Sequence, residues 1–365
     1  MRKTARAVVA LLLLSAFGVH AQTGENPWAF NVSPRILGLD LGAGYRMGLT
    51  TLWVHVGGGY EGMHYYRQSE ELITAAFTGL EPSYDRAEAK WQLGIVQALI
   101  PDIEGGSNFL EAHVFYRGRY DRHIFDASTL LDSSGAPDRD GIFQNSLFVA
   151  LDLNDLHTDP HKVRSGYSAE VSAEWGPGFL FNSVFGSADF LRLNATARGF
   201  LPLFDIAAGF PLNLVSAYIG DFVSVDYALG IGAPVPINVR QSFGGISPRT
   251  GLGGAVRGLD TGSLDTSLKI VNNFDFRVNL PAIFLPNLVP GMVVYWDMGW
   301  YSQVGEGSLS TPAPPSGFVS TIGAGLFINV LDIATLVGYT HYRLVGVNAN
   351  GSAFTPFTIE FGLQF

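Results

Sequence analysis

Period two runs through most of this chain. In YSAEVSAEW, Tyr167, Ala169, Val171, Ala173 and Trp175 alternate with Ser168, Glu170, Ser172 and Glu174. In LRLNATARGF, Leu191, Leu193, Ala195 and Ala197 alternate with Arg192, Asn194, Thr196 and Arg198. NFDFRVNL sets Phe274, Phe276, Val278 and Leu280 against Asp275, Arg277 and Asn279. In the closing FTIEFGLQF, Phe357, Ile359, Phe361, Leu363 and Phe365 share one face. Such alternation predicts strands with one apolar and one wet side. Several segments alternate over nine or more residues, longer than the strands of a soluble sandwich and long enough for a tilted strand to cross a bilayer.

Candidate strands fall at 35–46, 50–66, 89–100, 107–123, 141–154, 165–177, 188–202, 211–224, 264–281, 290–302, 317–331, 334–344 and 354–365. A short strand within Pro27–Ser33 brings the number to the even fourteen expected of a bacterial barrel, and sixteen fits if strands have been merged. Short links at 47–49, 101–106, 203–210, 282–289 and 332–333 read as periplasmic turns, whereas long links at 67–88, 124–140, 225–263 and 303–316 read as extracellular loops. The expectation is an all-β transmembrane antiparallel barrel, its last strand bonded to its first, because an unpaired backbone group is costly in hydrocarbon. Opposite charges are expected to meet across its wet face, Glu170 and Glu174 with Arg192 and Arg198.

Composition agrees with this picture. Hydrophobic residues make up 47% of the chain, with 44 Gly, 26 Phe, 14 Tyr and 6 Trp. The most apolar run, LPAIFLPNLVPGMVVYW, is interrupted by Pro281, Pro286 and Pro290 and cannot be one spanning helix. The start, MRKTARAVVALLLLSAFGVHAQ, has a cationic n-region, an apolar core and an A-x-A-like site ending at Ala21. It reads as a signal peptide over 1–21, leaving 22–365 as the barrel domain of an outer-membrane protein. The chain has no Cys, which rules out a disulfide framework, and a net charge of −10, which argues against nucleic acid as a partner. Outer-membrane lipid is the expected partner. Trp53, Trp91, Trp175, Trp296 and Trp300 are candidates for interfacial girdles.

Little points to catalysis. No G-x-S-x-G or H-E-x-x-H occurs, and His55, His113 and His123 fall in polar phases of strands. DLNDLHTD, Asp152 to Asp159, lacks the central Gly and final Glu of a calcium loop and reads as a periplasmic turn. No enzyme activity, metal or cofactor is expected.

The longest loop holds one conspicuous cation. Arg257 lies in GGAVRGLD, within a segment rich in Gly and small residues that can fold back into the lumen. A charge there needs anionic partners. Asp275 and Asp297 occupy the polar phases of the next two strands, where both can face one guanidinium.

These residues also carry a family likeness. GGAVRGL, FDFRVNLP and YWDMG, in that order, resemble the lumen-loop motif and the two acidic strands after it in the BamA/TamA-type outer-membrane assembly and secretion superfamily, also called the bacterial surface antigen domain. ALDLNDLHTDPHKVRSGYSAEVSAEWGPG and ARGFLPLF resemble earlier hairpins of its barrel, and the likeness covers about 143–365. It implies that Val256, Arg257 and Gly258 form a lumen-loop motif docked on Asp275 and Asp297, with Leu259 where an aromatic is usual. It implies that Phe357, Ile359, Phe361 and Phe365 form a terminal β-signal. With 13 residues between Ala21 and the strand at 35, it implies a form without periplasmic POTRA repeats. The activity implied is insertion or translocation of outer-membrane proteins, with such proteins or client chains as partners. A passive pore and a surface-exposed structural or adhesive antigen are the alternatives.

Overall fold

The computed structural model describes residues 27–35, 37–64, 83–101, 108–127, 129–134, 136–158, 164–207, 214–242, 255–259, 265–283, 288–302, 317–330, 334–345 and 354–363. Strands β1 (Trp28–Arg35), β2 (Gly38–Met47), β3 (Thr50–His64), β4 (Ser83–Ile100), β5 (Leu110–Ile124), β6 (Gly141–Thr158), β7 (Arg164–Gly176), β8 (Phe190–Ala207) and β9 (Leu214–Gly230) follow one another. A two-residue pair, β10 (Gln241–Ser242) and β11 (Asp265–Thr266), precedes β12 (Leu268–Asn279), β13 (Leu288–Ser302), β14 (Gly317–Val330), β15 (Ala334–Val345) and β16 (Phe354–Leu363). Leaving out the small pair, fourteen strands form one antiparallel meander in chain order, each bonded to its sequence neighbours. The short first strand expected within Pro27–Ser33 is β1, paired with β2 from Trp28↔Tyr45 to Arg35↔Gly38. The pairing that would join β16 to β1 is not among the described ones. No helix among the described residues is long and apolar enough to cross a membrane.

Several strands run beyond their expected boundaries. β4 begins at Ser83 rather than 89, because Asp85, Ala87 and Ala89 continue the outward phase without a bulky apolar residue to mark it. β6 runs to Thr158, so most of the expected turn over Asp152 to Asp159 is strand. From β2 to β15 short and long connections alternate, the two-residue 36–37 link before them lying at the long-loop end. The links 48–49, 101–109, 159–163, 208–213, 280–287 and 331–333 share one end of the sheet, and the long 65–82, 125–140, 177–189, 231–267 and 303–316 share the other.

Alternation sorts side chains by face. Along β13, Met292, Val294 and Trp296 are exposed while Val293, Tyr295 and Asp297 are buried. Leu147, Val149 and Leu151 of β6 are exposed in the same way. The inner face carries paired charges: Arg119 meets Glu88 and Asp121 at 2.7 Å each, Lys90 meets Asp40 at 3.3 Å, and Arg86 meets Glu61. Register sets Glu174 opposite Arg192, but Arg192 grips Asp226 on its other side, at 3.0 and 3.1 Å. Arg198 donates to Ser168 Oγ at 2.8 Å instead of meeting Glu170. Trp53 is also on the inner face, packed near Phe115 and Phe148, since Leu52, Val54 and Val56 hold the outer phase of β3. Trp91 and Trp296 lie mid-strand, whereas Trp175 and Trp300 sit near strand ends.

Loops pack together at the end that carries the long links. Val235 and Val239 pack with Ile142 and Phe190, and Ile237 with Tyr84 and Leu131, so the segment after β9 reaches across to β4. A one-turn helix, α1 (Leu130–Ser133), is capped by Thr129, whose hydroxyl accepts from Asp132 N at 3.2 Å. Asp138 fastens the two loops, accepting from Ile237 N at 2.6 Å. Burial raises its carboxyl above the ordinary aspartate range, against the opposing pull of that hydrogen bond and of Arg240. The stability tied to its protonated form is present below the ordinary aspartate range and is lost as pH climbs through the raised value.

Asp138→Asn, which keeps an acceptor without a charge, is therefore expected to flatten the pH dependence of unfolding between about pH 4 and pH 7. Asp138→Leu strands the Ile237 N–H and is expected to cost about 1–3 kcal/mol. Urea unfolding of the detergent-purified protein at the two pH values checks both.

Candidate functional site: an arginine clamped to the inner wall

The segment 255–259 leaves the strands and lies against the inner faces of β12 to β15. Val256 is fully buried with Leu259, Val271 and Val319, so Leu259 fills an apolar seat where the family likeness anticipates an aromatic. Wall side chains hold its backbone: Asn273 Nδ2 donates to Ala255 O at 2.8 Å, Thr321 Oγ1 to Arg257 O at 2.6 Å and Arg343 Nη2 to Gly258 O at 3.5 Å. Gly258 has φ +84°, and a Cβ there would lie 2.8 Å from His341 Cβ, so both conformation and space call for glycine.

Arg257 thereby reaches the two aspartates. Its backbone N–H and Nε both donate to Asp297 Oδ2 at 2.8 Å, and Nη2 donates to Asp297 Oδ1 at 2.7 Å. Nη2 also meets Asp275 Oδ1 at 2.6 Å. The strand register explains the convergence. Asn273 stands opposite Asp297 and Asp275 opposite Tyr295, so the two carboxylates are diagonal neighbours on adjoining strands. Asp275 is shared, since Arg277 Nε and Nη2 reach its Oδ2 at 3.0 and 2.8 Å. The guanidinium carbon lies 3.8 Å from the centre of the Tyr295 ring and 5.7 Å from that of Tyr339. Burial opposes the charge, yet the hydrogen bonds and charge of Asp297, with that of Asp275, raise the Arg257 pKa well above its ordinary value. The cluster is a charge-assisted clamp that holds loop to wall.

Tyr295, the aromatic of YWDMG, belongs to this site, as do Thr321 and His341, to which sequence reasoning gave no part. Tyr295 OH bonds His341 Nδ1 beneath the loop. His341 follows the polar phase of β15 and could have been noticed there; nothing in the sequence marks Thr321. Of the terminal segment, Phe357, Ile359 and Phe361 lie in β16, with Ile359 opposite Gly338 and Phe361 opposite Leu336. Phe365 and the expected signal peptide over 1–21 lie outside the described residues.

On the other side of the lumen, β3 to β8 and the 231–240 loop surround a cavity of about 380 Å³. His55, Lys90, Arg117, Arg119, Glu174 and Arg192 contribute to its lining. No group of three or more His, Asp or Glu among the described residues is placed to hold a metal.

No protein-family model matches the chain, and no curated protein matches it. Solved structures do. BamA from Haemophilus ducreyi lacking POTRA domains 1–3 superposes with a TM-score of 0.54 at 15% identity, over 90% of this chain and 63% of that one. The chain has a BamA/TamA-type barrel fold. CdiB from Escherichia coli gives a TM-score of 0.55 at 12% identity, over 89% of this chain and 52% of that one. CdiB from Acinetobacter baumannii gives 0.50 at 14% identity, over 89% and 49%. The chain thus spans between about half and about two thirds of the length of these barrel proteins.

Removing the guanidinium leaves two carboxylates facing each other in a buried setting. Arg257→Ala is expected to cost about 3–5 kcal/mol and to abolish heat-modifiable gel mobility or lower its midpoint temperature. Arg257→Asp with Asp297→Arg is expected to recover part of that loss. A wild-type midpoint in Arg257→Ala would show that the clamp does not hold the fold.

Proposed function

We propose that the chain is an integral outer-membrane β-barrel of the BamA/TamA-like surface antigen superfamily that assists insertion or translocation of outer-membrane proteins. In this reading 1–21 is a signal peptide, 22–365 forms the barrel, outer-membrane lipid surrounds it and client chains are its partners. No catalytic chemistry is assigned to it. The observation that carries the reading is the Arg257 clamp: a VRG loop inside a barrel of this fold, bonded to Asp275 and Asp297 on consecutive strands. A loop fixed in the lumen obstructs a diffusion path, which favours work at the wall over passage through the bore.

In this reading the wall opens at the seam between its first and last strands. β1 is eight residues long and β16 ten, against 18 for β4, β6 and β8. A seam between β1 and β16 could hold no more pairs than the eight of the β1–β2 ladder and would be among the least costly to part. Phe357, Ile359, Phe361 and Phe365 are assigned to it as a terminal β-signal. The alternative reading, a passive pore, is favoured by the charged cavity between β3 and β8.

Two measurements separate the readings. In planar bilayers an assembly barrel is expected to give small, erratic conductance that grows on deletion of 246–262, whereas a pore gives large steady steps in the intact protein. Because the chain has no native Cys, a disulfide between Asn31→Cys and Ile359→Cys can lock the seam. Locking is expected to abolish acceleration of a second outer-membrane protein's insertion into liposomes. Undiminished acceleration by the locked protein would overturn the seam mechanism.

A further inference from the structure

The 177–189 loop presents an apolar surface that the clamp and the lumen do not use. Phe179, Phe181 and Val184 are exposed by 72%, 70% and 72%, more than any large hydrophobic residue of the strands. Phe181 has φ +63°, the one positive φ outside glycine among the described residues, and a costly one for a bulky side chain. Yet the loop is firmly built. β7 stops at Gly176 while β6 starts at Gly141, so the upper edge of β6 faces Pro177, which has no N–H to offer. The buried amide of Asn182 takes that place. Its Oδ1 accepts from Asn145 N at 2.6 Å, and its Nδ2 donates to Asn145 O at 2.8 Å and Pro177 O at 2.9 Å. Phe143 N continues the ladder to Phe185 O at 2.8 Å.

The direction in which the loop leans identifies what covers it. Phe179 meets the ring of Trp175 at 5.7 Å, and Phe185 that of Tyr120 at 5.7 Å, with Arg122 over its face at 5.6 Å. Trp175 and Tyr120 both belong to the outward face, where Val171, Leu147 and Val149 are exposed. The apolar patch is therefore continuous with the outer belt of the wall and lies at the end of the sheet that carries the long loops. A cation and two amphipathic rings at its border are the composition of a membrane–water boundary.

We propose that the 177–189 loop is a lipid-inserted finger, with Phe179, Phe181 and Val184 seated among acyl chains of the outer leaflet. This rests on the outer-membrane reading above. The strained Phe181 backbone is held by Asn182 so that the ring points into lipid, and Arg122 faces headgroup phosphates.

Single cysteines test it in an otherwise cysteine-free chain. Phe181→Cys and, as a second site, Phe179→Cys carry an environment-sensitive dye in vesicles of phosphatidylethanolamine and phosphatidylglycerol. Val149→Cys, mid-strand on the outer face, and Asp126→Cys, exposed in the 125–140 loop, are the references. Spin-labelled acyl chains are expected to quench the dye at 181 and 179 as they do at 149, with blue-shifted emission and loss of iodide quenching. Iodide quenching at 181 and 179 equal to that at 126, with 149 still quenched by lipid, would overturn the finger and point to a protein partner or water instead. Failure at 149 as well would overturn the membrane reading itself.

Discussion

A backbone amide that faces hydrocarbon has no water to fall back on, and the architecture follows from that constraint. Each of the fourteen strands must spend its N–H and C=O groups on neighbours, and the simplest connectivity that achieves this is a meander of hairpins in chain order. Period two is its consequence in side-chain chemistry, because a pleated strand fixed between two neighbours can only turn its residues in or out. Where the ladder falters, the chain supplies a substitute. Pro177 removes a donor from the rim, and the Asn182 side chain restores both a donor and an acceptor to Asn145.

The lumen obeys a second constraint, that charges removed from bulk water need partners. The inner wall answers with arginine–carboxylate pairs strung across adjacent strands, and the Arg257 clamp is the case in which one partner arrives from a loop. The clamp differs from the others in its geometry. Two hydrogen bonds to Asp297, one to Asp275 and the face of Tyr295 surround a single guanidinium, and the Arg257 backbone N–H adds a third bond to Asp297. Lysine could not reproduce that arrangement, since it lacks both the planar fork and the stacking face.

Much of this could be read from residue order, and the failures have physical causes. Strand positions and the alternation of short and long links followed from periodicity, because lipid contact enforces it over long segments. Asp275 and Asp297 could be matched to Arg257 because both lie in the polar phase of the next two strands. Thr321 and His341 escaped notice, since a polar phase says which way a side chain points and not which loop atom it will meet. Trp53 faces inward because it shares the phase of Thr51 and His55 while Leu52, Val54 and Val56 hold the other, and aromatic character alone does not set the face. The 177–189 loop falls between the expected strands 165–177 and 188–202, and nothing in its sequence marks its direction. Its outward lean depends on Asn182 finding a vacant edge on β6, a matter of the register between β6 and β7.

The uneven distribution of connections has a cost in biogenesis. Under the proposed orientation every bulky loop finishes on the far side of the bilayer from where the chain arrives. The segment between β5 and β6 alone carries Asp126, Asp132, Asp138, Arg139 and Asp140. Ferrying such a cargo of ions through bare hydrocarbon would be prohibitive. The hairpins must therefore travel within a sheltered, hydrated passage while their compact ends stay behind, and this protein's own arrival in the membrane poses the transport problem that its fold is proposed to solve for others.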